Sequence, residues 1–111
     1  MREARLEDMV KGWFVGAFVP TALHTDACEV AVKRYRAGET EAAHFHKIAT
    51  EVTLVLSGEV RICGRVFRAG EIVVLSPGEV TGFEALTDAV NVVVKCPGAA
   101  NDKYPAPADA A

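Results

Sequence analysis

Residues 38–58 read GETEAAHFHKIATEVTLVLSG, and the spacing inside this stretch decides how the whole chain is read. His44 and His46 stand one residue apart, and Glu51 follows at the edge of the apolar run Val52 to Leu56. In extended backbone, side chains at i and i+2 project from the same face, so two such histidines can grip one ion. A helix would aim them roughly 200° apart. Thr50 and the run after Glu51 have the β-branched, apolar character of a strand, and Lys47 to Ala49 serve as the bend that returns the chain beside the histidine strand. That arrangement predicts Glu51 next to the pair. Two imidazoles and one carboxylate suit a divalent transition metal such as Fe, Ni, Mn or Zn, with open coordination positions. The ordinary alternative is a histidine on a surface or in a hydrogen-bonded core. Two of the three histidines share this one spacing, with His24 the third, and a carboxylate beside an apolar run is costly to bury without a cation or donors.

Outward from this stretch, glycine and proline punctuate short apolar segments at intervals of about ten residues, the pattern of an all-β sandwich or barrel. Strands are expected at Trp13 to Val19, Glu29 to Arg36, Ala42 to His46, Glu51 to Leu56, Val60 to Ile62, Arg65 to Phe67, Glu71 to Leu75, Val80 to Ala85 and Val90 to Lys95. A hairpin turn is expected at Cys63-Gly64. Arg2 to Val10 suggest a short helix, with Leu6, Met9, Val10 and Trp13 at helical spacing. The organisation is then an N-terminal segment with that helix and the first strand (1–28), a barrel core (29–96) and a loose tail rich in Pro and Ala (97–111). Ile72 to Leu75 and Val92 to Val94 are apolar without alternation, so both faces of those strands need cover. Another subunit or the N-terminal segment can supply it, and a homodimer does so economically, because a two-fold interface covers a patch with its own copy.

The chain has 111 residues, half of them hydrophobic, and a formal charge of −3. It is long enough for one domain with its own core. The acidic balance argues against nucleic acid as an obligate partner, which wants a clustered basic face. No apolar run approaches the roughly 18 residues needed to span a bilayer, and the opening MREARLEDMVKG lacks an apolar signal core, so cytoplasmic residence and no membrane partner are expected. Cys28, Cys63 and Cys96 are odd in number and irregularly spaced, which indicates reduced thiols.

Gly38, His44-Phe45-His46, Glu51 and Gly58 together resemble the first sequence motif of the cupin superfamily at each anchored position. Gly70-Glu71 and Pro77-Gly78 resemble the second, with Pro77 displaced by one. The likeness runs from about Glu29 to Lys95. KGWFVG near the start and PGAANDKY near the end are similar to stretches of small uncharacterised bacterial cupins. The resemblance implies a jelly-roll barrel, a double-stranded β-helix, with a metal held inside its mouth. One departure stands out: the second motif's usual histidine is Thr81 here, and its usual asparagine is Ala85. Three readings stay open, namely a His44, His46, Glu51 centre with extra open positions, a site where Thr81 holds a metal-bound water, or a vestigial site. His24 is a further source for the missing nitrogen, although it precedes the second strand at no position the motif supports.

Function is less determined than fold, because the cupin barrel hosts many chemistries. A metalloenzyme of oxygenase or isomerase type acting on a small polar molecule is one expectation, with Lys33, Tyr35, Thr53 and Thr81 as pocket candidates. A non-catalytic module that binds or senses a small ligand or metal is the other. Metal-free epimerase chemistry ranks last, since it wants a histidine base and a tyrosine donor across the barrel, and the chain has only Tyr35 and Tyr104.

Overall fold

Alternating burial along the strands divides each one between an interior and an outer face. On β4 (Thr50–Ser57), Thr53 and Val55 are buried, and on β9 (Ala89–Cys96), Ala89, Asn91 and Val93 are. The computed structural model, which describes residues 1–106, arranges these strands in two antiparallel sheets. With β1 (Trp13–Val15), β2 (Glu29–Tyr35) and β7 (Ile72–Leu75), the first sheet runs β1-β2-β9-β4-β7. The second contains β3 (Thr40–Phe45), β5 (Glu59–Ile62), β6 (Arg65–Arg68), β8 (Thr81–Ala85) and β10 (Tyr104–Pro105), in the order β10-β3-β8-β5-β6. The two sheets face each other as the jelly roll requires.

The interior changes character along its length, and β4 records the change. Its inward positions run Glu51, Thr53, Val55, so one strand passes from a charged group to an apolar core in four residues, about 13 Å at the usual strand rise. Val55, Val60, Ile62 and Ala89 form the core at the far end, with Phe67, Val73 and Phe83 packed against them. Apolar packing at one end gives rigidity, and the other end is left for polar groups. Gly58 belongs to this closed end. Its φ is +84°, and a Cβ there would overlap the carbonyl of Asp88, so only glycine fits.

Several expectations need correction. The expected N-terminal helix is a single 3-10 turn, Leu6–Asp8, because the backbone is extended at Arg5 before it and again at Met9 after it. The first strand is only Trp13–Val15, but it pairs with β2, so the N-terminal segment is part of the sheet. The chain from Pro97, expected as a loose tail, turns back at Asp102 and pairs through β10 with β3, matching Tyr104 with Phe45. Tyr104 stacks on Phe45 with ring centroids 5.5 Å apart and lies under the Lys47 ammonium at 4.1 Å, contacts that hold the segment down. Residues 107–111 lie outside the described residues.

The outer face of the first sheet is apolar across four strands. Cross-strand register aligns Val30, Val94, Val52 and Val74 in one row and Val32, Val92, Leu54 and Ile72 in the next. Ile72 and Val74 are more than half exposed. No helix among the described residues is long and apolar enough to cross a membrane. The three cysteines are unpaired, and Cys63 sits in the hairpin turn at Cys63-Gly64, with both residues at positive φ as a primed two-residue turn demands.

Candidate metal centre

The two histidines arrive on β3 and just past its end, and both are buried. Each ring is oriented by a backbone carbonyl: His44 Nδ1 donates to Ala42 O at 2.9 Å, and His46 Nδ1 donates to Asp102 O. A carbonyl only accepts, so the bonded nitrogen carries the proton and the neutral rings present bare Nε2 lone pairs. Second-sphere carbonyls orient metal-ligating histidines in this way. His46 Nε2 is buried and has no hydrogen-bond partner.

Glu51 meets this pair from the opposite sheet. The sequence reading placed β4 beside the histidine strand; in fact β3 pairs with β8 and β10, while β4 pairs with β7 and β9. The turn at 46–49 carries the chain across the interior, so Glu51 faces the histidines over the barrel mouth. The result still brings one donor atom from each of His44, His46 and Glu51 within 4.8 Å of one another. Glu51 Oε2 lies 3.7 Å from His46 Nε2. Two lone pairs facing each other in a buried site repel unless a proton or another cation stands between them.

The electrostatics of the group follow from that geometry. Burial lowers the His44 pKa, against its bond to Ala42 O, and so favours the neutral ring. His46 is raised, chiefly by the Glu51 carboxylate. Burial pushes Glu51 up, but His46 and Lys95 outweigh it and hold the carboxylate below its ordinary value. The donor set, with bare imidazole nitrogens and an ionised carboxylate, fits a divalent transition metal.

A cavity of about 520 Å³ opens above this group, lined among others by Trp13, Lys33, Tyr35, Glu41, His44 and Glu51. Beneath it lies a pocket of about 40 Å³ with Thr53, Thr81 and Asn91 in its wall, large enough for one water. All four pocket candidates from the sequence therefore line one of these spaces. Thr81 is buried directly opposite His44 in the β3–β8 pairing, but its hydroxyl donates weakly to Gly82 O at 3.3 Å. His24 is exposed between β1 and β2 and stands outside the group.

Sequence reasoning missed the residues that come from distant segments. Asp102 is buried, and its carboxylate accepts from the backbone N–H groups of Lys47, Ile48 and Ala49. Burial pushes that carboxyl up, yet these three donors hold its pKa below the ordinary value. Glu41 accepts from the Tyr35 hydroxyl at 2.8 Å, and burial followed by this neighbour raises the Tyr35 pKa, so the phenol stays protonated. Asn91, Lys95 and Lys103 also face these spaces. The one hint in the sequence was the distinctive KGWFVG and PGAANDKY stretches, which supply Trp13, Asp102 and Lys103.

Two facing antiparallel sheets with polar donors at one end define a double-stranded β-helix protein. No protein-family model and no curated protein matches the sequence, but solved structures do. An uncharacterized conserved protein with a double-stranded β-helix domain from Klebsiella pneumoniae is 29% identical, with a TM-score of 0.67 over 74% of this chain and 72% of that one. A recombinant oxalate oxidase, in complex with glycolate, is 26% identical with a TM-score of 0.59, over 66% of this chain and 43% of that one. Oxalate decarboxylase from Bacillus subtilis, a protein with Mn(II) centres, is 21% identical with a TM-score of 0.62, over 72% of this chain and 24% of its own, a likeness of fold alone. Further cupin proteins match at similar scores. The chain has the fold of a small cupin, a single double-stranded β-helix.

Proposed function

We propose that this cupin holds one divalent transition metal ion through His44 Nε2, His46 Nε2 and a Glu51 carboxylate oxygen, and that it is a metalloenzyme of oxygenase or isomerase type acting on a small polar molecule. The observation that carries the reading is the buried, unpartnered Nε2 of His46, aimed at the Glu51 carboxylate and beside the bare Nε2 of His44. A bound ion supplies Lewis-acid polarisation of a substrate oxygen. The chain's own groups do the rest. Ala42 O and Asp102 O keep both rings in the ligating tautomer. Trp13 and Phe18 wall the cavity with apolar surface that limits water, while the Tyr35–Glu41 pair offers oriented polar contacts to substrate hydroxyls.

A second reading, a ligand- or metal-binding module without turnover, is favoured by Thr81. Where a fourth protein ligand would stand opposite His44, the chain presents a hydroxyl, a poor donor to such metals. Elemental analysis of the purified protein against a His44→Ala/His46→Ala variant tests the centre. Stoichiometric Fe, Ni, Mn or Zn that disappears in the variant supports it; equal, negligible metal in both overturns it. The reading includes a homodimer formed through the apolar outer face of the first sheet, where the Val30–Val74 and Val32–Ile72 rows would cover their own copies.

A further inference from the structure

The net charge of the chain is negative, yet the cavity over the candidate centre collects four lysines, Lys11, Lys33, Lys95 and Lys103. Lys33 is the most telling. It lies on the inward face of β2 between Ala31 and Tyr35, where side chains point into the barrel, and it is half-buried. Inward lysines are rare unless paired, because desolvation disfavours the ammonium. Among the described residues none of the four lysines lies within ion-pair distance of a carboxylate. Lys95 stands in register between Glu29 and Glu51, which temper its charge without pairing with it. Trp13 organises the two inner lysines: the Lys95 Nζ lies 4.9 Å and the Lys33 Nζ 5.7 Å from its ring centroid. The indole thus has two ammonium groups placed about it at the cavity wall.

Like charges gathered around one cavity large enough for a small metabolite call for an anion. The cavity also carries Glu29, Glu41 and Glu51, so before any bound ion is counted the lysines leave one positive charge in excess, which in the metal-free cavity matches a single negative charge better than a double one. We propose that the cavity binds a small organic monocarboxylate, its carboxylate held by Lys33 and Lys95 against Trp13 and its remaining oxygens directed toward His44 and Glu51. The inference names the substrate class of the metal reading, and only the direction of the ligand toward the centre rests on that reading. The lysine site itself requires no metal. Burial and the neighbouring ammonium groups of Lys11, Lys103 and Lys95 lower the Lys33 pKa against the pull of Glu41, consistent with a cavity that an anion would relieve.

Trp13 is the only tryptophan in the chain, so its fluorescence reports this wall directly. The full-length protein and its His44→Ala/His46→Ala variant are titrated with acetate, glycolate, acetamide and inorganic phosphate. Saturable fluorescence changes with acetate and glycolate are expected in both proteins. Acetamide, the neutral isostere, and phosphate should bind more weakly. Lys33→Met should weaken carboxylate binding by about tenfold, the loss of one charge-assisted bond, and Lys33→Arg should restore most of it. If Lys33→Met does not fold, Lys95→Met gives the same readout from the second lysine at the indole. The proposal is overturned if neither carboxylate saturates, if acetamide binds as tightly, if phosphate is preferred, or if the lysine variants bind like the parent. Failure of the metal reading is separate: the wild type would then bind carboxylate and no stoichiometric metal.

Discussion

Asp102 grips the segment that carries His46 with both of its oxygen-bearing groups. Its backbone carbonyl accepts from His46 Nδ1, and its carboxylate accepts from the N–H groups of Lys47, Ile48 and Ala49, which open the turn into β4. One residue from the far end of the chain thereby sets the tautomer of a candidate ligand and the path that brings Glu51 across the barrel. Removing the carboxylate orphans three donors at once. Asp102→Ala is expected to cost about 2–4 kcal/mol in urea unfolding and to weaken metal binding by about tenfold or more. Asp102→Asn, which keeps one acceptor oxygen, should lie between. A variant with parental stability and parental affinity would show that the turn holds itself.

The same carboxylate makes the fold sensitive to acid. Its folded-state pKa is depressed, so the stability it contributes is fully present above the unfolded value of about 3.9 and is lost as pH falls through the folded value. Glu51 is depressed as well and acts in the same direction. Stability measured from pH 5 downward should therefore fall less steeply in Asp102→Ala than in the parent, and parallel slopes would contradict this assignment.

His46 titrates in the opposite sense. Its pKa is raised by Glu51, so in the metal-free protein the proton it holds stabilises the fold below the unfolded histidine pKa of about 6.5, and that contribution is lost as pH rises through the raised folded value. Metal must displace this proton. Occupancy should begin to drop on acidification at a pH above that of an ordinary histidine, and the metal-free and metal-loaded proteins should show opposite pH trends in melting temperature near neutrality. Metal content that stays constant down to about pH 4 would remove histidine ligation from consideration.

Thr81 faces His44 across the β3–β8 pairing, next to the pocket of about 40 Å³. Thr81→His would put a third imidazole at the centre. The expected result is metal affinity higher by about tenfold or more, read by competition with a chelating dye, with a modest loss of stability from the larger ring in a buried position. Unchanged affinity in a folded variant would place Thr81 outside the reach of the ion.

The outer rows of the first sheet give a size test. Val74 is 57% exposed at the end of the row Val30, Val94, Val52, Val74. Val74→Lys should leave the monomer fold intact and halve the mass seen by light scattering, because a charge on both sides of a two-fold interface faces its own copy. A parent that already runs as a monomer would overturn the dimer.

Strand positions were legible because their signal is local. From Glu29 to Cys96 the expected segments match the observed ones within a residue or two, since alternation of β-branched and polar residues between glycine turns acts within each segment. The His44–His46–Glu51 grouping was legible for the same reason, being three donors within eight positions. The tail was misread because composition rich in Pro and Ala describes an isolated segment. It says nothing of a buried Asp102 whose partners are the N–H groups of residues more than fifty positions earlier.

By itself the amino-acid sequence determined the strand pattern, the donor types and the likeness to cupins, all properties of residues close together in the chain. Tertiary structure alone decided that Glu51 meets the histidines from the opposite sheet, that Asp102 orients His46, and that Lys33 and Lys95 converge on Trp13. Those relationships depend on sheet order and on the path of the turns, and closing the barrel is what brings such distant segments within reach of a hydrogen bond or a shared charge.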